Sequence, residues 1–140
     1  MKYYNEIKNK LIDNKVYKEV KDYSKNKNDL TTYYAVGKLL YEAGNKYGEG
    51  IIKKYSERLV IEVGRNYNER TLRRIRQFYL VFKDEIWSTM STKLMWSHYT
   101  EILSLSNINE INYSINITEE YNLSVRELRE RLKKKNIKYY

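Results

Sequence analysis

Cysteine and proline are both absent from this 140-residue chain, and glycine occurs only five times. Without cysteine there are no disulfides and no thiolate metal sites, and nothing reports the redox compartment. Without proline, and with so little glycine, the usual breakers of regular structure are missing, which favours a mostly helical chain. No apolar run approaches the roughly 18 residues of a membrane-spanning helix. The N-terminal MKYYNEIKNK also lacks the apolar stretch of a signal peptide. A cytoplasmic protein without a membrane partner is the expectation. Catalytic signatures are equally scarce: there is no Walker loop, no nucleophile elbow and no GxGxxG. Histidine occurs once, and His98, with Trp96 and Tyr99 beside it, reads as a hydrogen-bonded side chain at the core edge. Asp84-Glu85 and Glu119-Glu120 are adjacent pairs, which point apart on a helix instead of converging on a metal. The chain is therefore expected to be no enzyme, with no cofactor, no metal and no small-molecule substrate.

What the chain does have is basic charge, and it is concentrated. The formal net charge is +9. Residues 65–76 (RNYNERTLRRIR) carry five arginines against Glu69, a balance of +4. Residues 126–138 (RELRERLKKKNIK) carry seven basic residues against Glu127 and Glu130, a balance of +5. These two windows account for the whole net charge, and Arg58 is the one arginine outside them. Arginine is the better fork for phosphate oxygens and guanine edges, so its segregation points to a polyanion, with nucleic acid the first candidate. The sixteen tyrosines could offer stacking platforms. Most are read instead as core or core-rim residues, because Lys, Asn, Ile and Tyr are abundant together, as AT-rich codons would produce.

Apolar spacing divides the chain into about seven helices. The first covers residues 2–24, with Ile7, Leu11, Val16, Val20 and Tyr23 inward. Ser24 to Asp29 is either a short break or a polar stretch within one long helix. Leu30, Tyr34, Gly37, Tyr41 and Gly44 mark one face of a second helix ending near Gly44-Asn45, with Gly37 read as a site of close helix packing. A third runs from about 50 to 63, with Ile51, Ile52, Tyr55, Leu59 and Val63 inward and Gly64 ending it. Asn68 caps the fourth, at roughly 69–84, with Tyr67 packing on Leu72 as a hydrophobic staple. After a polar turn from Ser88 to Lys93, Leu94–Leu105 form the fifth helix, and about 108–120 the sixth. Ser124-Val-Arg-Glu127 is a capping box for the seventh, with Leu123 and Leu128 as its staple; Leu128 and Leu132 face inward.

Helical projection sorts the two basic windows. Leu72, Ile75, Phe78, Tyr79 and Phe82 share one arc of the fourth helix, while Arg70, Arg73, Arg74 and Gln77 centre on the opposite side. In the seventh helix Glu127–Arg131 and Glu130–Lys134 are i,i+4 pairs, and Arg126, Arg129 and Lys133 form a separate stripe without such partners. The third and fourth helices, joined through Gly64-Arg-Asn-Tyr-Asn68, make a helix-turn-helix candidate with a slightly long connection.

Five ordered motifs carry a family resemblance: Tyr33-Tyr-Ala-Val-Gly37-Lys-Leu-Leu, Tyr47-Gly-Glu-Gly-Ile-Ile52, Leu72-Arg-Arg-Ile-Arg-Gln-Phe-Tyr79, Trp96-Ser-His-Tyr99 and Leu123-Ser-Val-Arg-Glu-Leu128. Together, over roughly residues 5–135, the chain resembles the helical N-terminal domain of the YhcG-type bacterial nucleases. The resemblance implies a DNA-recognition domain of the kind that precedes a PD-(D/E)xK nuclease domain. This sequence stops where the nuclease half would begin, as an excised domain or a stand-alone binding half, so no catalytic residue carries over. Leu123 and Tyr34 stand where relatives often have Trp, apolar-for-apolar changes that leave the fold expectation intact.

The sequence therefore predicts one all-α domain over residues 1–140, with a helix-turn-helix-like unit (helices near 50–63 and 69–84) and a basic C-terminal helix over 125–138. The expected function is non-catalytic binding of double-stranded DNA. Arg70, Arg73, Arg74 and Gln77 would line the major groove, while Arg65, Arg126, Arg129 and Lys133 would hold phosphates. A homodimer on paired half-sites is compatible with this. The rival is a protein–protein adaptor or inhibitor acting on an acidic partner. RNA is a weaker third option, because no RNA-binding motif is present.

Overall fold

A computed structural model describes residues 2–20, 25–83, 93–105 and 107–138, with the side chains of 17–20, 25–28 and 135–138 left aside. Among the described residues the architecture is all-α. Seven helices follow one another: α1 (Lys2–Val20), α2 (Lys25–Tyr47), α3 (Gly50–Glu62), α4 (Glu69–Phe82), α5 (Trp96–Ile102), α6 (Ile108–Tyr121) and α7 (Val125–Lys138). They pack as two compact units, Met1–Trp87 and Ser88–Tyr140.

In the first unit α2 is the hub, packed on α1, α3 and α4. It begins earlier than its apolar spacing suggested, so that the polar residues from Lys25 to Asp29 form its first turns. Its buried positions are Leu30, Tyr33, Val36, Leu40 and Ala43. The face read from sequence (Tyr34, Gly37, Tyr41, Gly44) is the strip that meets α4. Tyr34 and Tyr41 lie 5.2 and 5.9 Å from the Tyr79 ring centroid. Gly37 is the closest approach: a Cβ there would lie 2.5 Å from the Ile75 carbonyl oxygen and 2.7 Å from Tyr79 Cβ. Only glycine lets the two backbones come together at this point.

The helix does not stop at Gly44 but runs on to Tyr47, where the next residue leaves the right-handed region. Gly48 has a φ of 91°, and its N–H donates to the Gly44 carbonyl at 2.8 Å. In α1 the inward series is Tyr4, Ile7, Leu11 and Asn14, while Val16 is 52% exposed. Asn14 continues the three- and four-residue spacing and donates to Asp29 Oδ1 at 2.8 Å, whereas Val16 falls well off that stripe. Val20 and Tyr23, expected on the same face, lie outside the described side chains. Arg58, the arginine outside the basic windows, is structural. Its guanidinium lies 4.0 Å from the Tyr4 ring centroid and 3.1 Å from Glu62, which also accepts from Tyr4 and Lys8. Burial, reinforced by the bond to Glu62, pushes the Tyr4 hydroxyl up to about 12.

In the second unit α5 packs on α6 and α7. It spans Trp96–Ile102, shorter than the expected 94–105. Met95 is extended before it, and Ser104 and Leu105 close three-residue turns onto the Glu101 and Ile102 carbonyls. His98 is buried. Its Nδ1 accepts from the Met95 N–H at 3.0 Å, so the ring proton sits on Nε2, which donates to the Leu123 carbonyl at 2.9 Å. The ring thus ties the start of α5 to the α6–α7 turn. That turn reverses at Asn122, with φ and ψ of 50° and 50°. The capping box then starts α7: Ser124 Oγ accepts from the Glu127 N–H at 3.1 Å, and Glu127 Oε1 accepts from the Ser124 N–H at 3.0 Å. Leu123, Leu128 and Leu132 are buried as expected.

Candidate nucleic-acid interface

Helix α4 starts where its sequence says it should. Asn68 is extended, and its side chain accepts from the Thr71 N–H at 3.0 Å. Tyr67 and Leu72 are both buried, as a staple requires. Leu72, Ile75, Phe78 and Phe82 are buried and Tyr79 is half-buried, so the aromatic-rich arc faces the core. The arrangement fixes the opposite arc by default, since 3.6 residues per turn leave it nowhere but outward.

On that outer side Arg70 and Arg73 are exposed, and Arg74 and Gln77 are half-buried. Together with Glu69 they line one open depression along the helix. Arg74 donates to Gln77 Oε1 at 3.0 Å. Arg65 is exposed in the α3–α4 turn. The four residues assigned to helix four are therefore brought together, and Arg65 precedes them on the same connection.

Arg73 is not a bare cation. Its Nη2 donates to Glu69 at 3.0 Å and its Nη1 to Glu49 at 3.1 Å. Both contacts, Glu69 first, hold its guanidinium above its ordinary value. Glu49 also takes two bonds from Arg76 Nη1, at 2.8 and 3.0 Å. These bonds, those from Arg76 ahead of those from Arg73, hold the Glu49 carboxyl below the usual carboxylate range. Helical projection alone missed Glu49 and Arg76. The pairs span 24 and 27 residues, beyond any local spacing rule, and the one local signal is that Glu49 lies between two glycines in a turn.

The second window lies in the other unit. Arg126 and Lys133 are exposed on α7 and form no ion pair with a described residue. Arg129, which has no i,i+4 partner as expected, is paired from another helix: its Nε and Nη2 donate to Glu101 Oε1 at 3.0 and 2.7 Å. A carboxylate from α5, not from α7 itself, neutralises it. Glu127 is engaged in the capping box, and Arg131 lies 5.1 Å from the Tyr121 ring centroid. Tyrosine itself is mostly core: of the twelve with described side chains, nine are buried or half-buried, which leaves few rings for base stacking.

Chemically, these surfaces can bind anions. Among the described residues no group of three or more His, Asp or Glu side chains could hold a metal ion, and no helix is long and apolar enough to cross a membrane. No curated protein and no solved structure matches the chain. A family model does. The DUF1016 N-terminal domain matches residues 6–138, through both compact units, and the chain belongs to that family.

Proposed function

We propose that the chain is a non-catalytic, helix-turn-helix-like module that binds double-stranded DNA. The observation that carries this reading is the joint presentation of Arg70, Arg73, Arg74 and Gln77 on the outer arc of a helix anchored by its aromatic inner face. Arg and Gln are the side chains that bond guanine and adenine edges in the major groove. Arg65, Arg126 and Lys133 add charge for phosphates, which raises affinity without reading sequence. A homodimer on paired half-sites would strengthen such a small module.

Anisotropy titrations with duplex DNA, single-stranded DNA and RNA test this. Duplex should bind best, and if about five phosphates are neutralised, log K should fall against log salt with a slope near −4 to −5. A slope near zero rejects the proposal. A second reading, an adaptor for an acidic protein, draws on the carboxylates already seated on Arg73 and Arg129. Competition by unrelated duplex DNA separates the two, because only a shared site is emptied by it.

A further inference from the structure

Glu49 stands at the start of α3, where a short polar side chain ordinarily accepts from the first free N–H groups. It makes no such bond. Its carboxylate reaches α4 instead, where Arg73 and Arg76 converge on it. Arg76 is the anchored member of the pair, with 17% of its side chain exposed, and Arg73 is the outer member at 43%. The Glu49 side chain between them is 67% exposed. Two guanidiniums one turn apart therefore make a cradle for one surface anion. Gly48 and Gly50 flank the carboxylate's own residue, and neither has an atom within 4 Å of where a Cβ would lie. The turn has open space around it.

We infer that Arg73 and Arg76 form an anion site for a phosphate-ester group, and that Glu49 fills it in the free protein as an internal stand-in that the incoming anion replaces. The inference rests on the DNA-binding reading, in which the anion is a backbone phosphodiester, and it moves Arg73 to that backbone while Arg70, Arg74 and Gln77 stay at the base edges. Guanidinium forks take phosphate with the same paired N–H geometry they offer a carboxylate. Exposed ion pairs of this kind are weak, each worth a factor of about five or less, so displacement is within reach of an arriving polyanion. A Glu49 that stayed in place would confront each phosphate with a like charge. Exchange removes that repulsion and brings the recessed Arg76 into the interface.

Glu49→Gln and, as a charge-matched control, Glu57→Gln on the exposed side of α3 test this in the full chain. Each is measured for affinity to a mixed-sequence duplex and for the salt needed to elute it from immobilised heparin, a sulfated polyanion. Removing the stand-in should raise duplex affinity about fivefold, with a later elution from heparin. The control should change each by less than half as much, and Arg73→Ala should abolish most of the Glu49→Gln gain. Equal gains for both variants, or weaker binding by Glu49→Gln, overturn the exchange while duplex binding itself stands. If no variant binds duplex but Glu49→Gln alone is held longer on heparin, the anion site stands and the DNA reading falls.

Discussion

Helices α4 and α7 both begin with a side-chain cap, both carry a basic window, and both have an arginine tied to a glutamate from another element. They differ in what lies beneath the charge. Helix α4 buries Leu72, Ile75, Phe78 and Phe82 and meets α2 at the Gly37 contact, so its outer face is set by tight packing. Among its described side chains α7 buries Leu128 and Leu132 only. The arginines of α4 are also bonded to one another's neighbours, through Glu49, Glu69 and Gln77. On α7 the cations at Arg126 and Lys133 point into solvent with no ion pair among the described residues. A guanidinium fork held in place can recognise a particular geometry, whereas a cation loose in solvent supplies attraction. Under the proposed DNA binding, the comparison gives α4 the part of reading sequence and α7 that of attracting phosphates.

The largest effects should come from the packing beneath α4. Leu72→Ala should destabilise the first unit by about 2–5 kcal/mol. Gly37→Ala should cost about 1–3 kcal/mol, because the new Cβ forces α2 and α4 apart or the Tyr79 side chain aside. Leu132→Ala, on the thinner core of α7, should fall at or below the lower end of the leucine range. Thermal melts of the three variants check this order, and a Leu132→Ala loss as large as that of Leu72→Ala would remove the basis for contrasting the helices.

Binding should separate them next. Arg70→Ala, at an exposed guanidinium on α4, should lose about 1–3 kcal/mol, and more on some duplex sequences than on others. Lys133→Ala should lose less, uniformly across sequences, and make the salt slope shallower by about 1. Neither should move the melting temperature, since both side chains are exposed. Titrations on several unrelated duplexes decide the matter. A uniform loss for Arg70→Ala would reduce α4 to the same role as α7.

Local rules made most of these elements legible in the sequence. The Asn68 cap, the Ser124 capping box and the inner arc of α4 each involve residues within a turn or two, and each is found in the structure. Gly37 was legible for the same reason, as a glycine placed in the middle of a helix face. The stop of α2 is not legible in this way, because two glycines compete there and only the backbone shows that Gly48 holds the positive φ. Asn14 is not legible either, because a buried polar side chain needs a partner on another helix, here Asp29. The same limit hid the site's acids. Glu49 and Glu101 reach their arginines across 24 to 28 residues, and a projection of one helix cannot display a neighbour that arrives from another.

The smallest effect concerns acid. Glu127 accepts the Ser124 N–H, and that backbone bond, ahead of the contact with the Ser124 side chain, holds its carboxyl below the usual range. A depressed pKa in the folded state means the contribution is present above the unfolded carboxylate range and disappears as pH falls through the folded value. Glu49 obeys the same sign, but its depression comes from Arg76 and Arg73. The two should therefore respond differently to salt, which screens an exposed ion pair and leaves a hydrogen bond within one helical turn nearly untouched. Melting temperatures taken from about pH 6 to about pH 3 should fall less steeply in Glu127→Gln and in Glu49→Gln than in the unmodified chain. In about 1 M salt the flattening by Glu49→Gln should vanish while that by Glu127→Gln persists. If both vanish together, the start of α7 is held by charge and not by its cap, and the two basic helices are more alike than their packing implies.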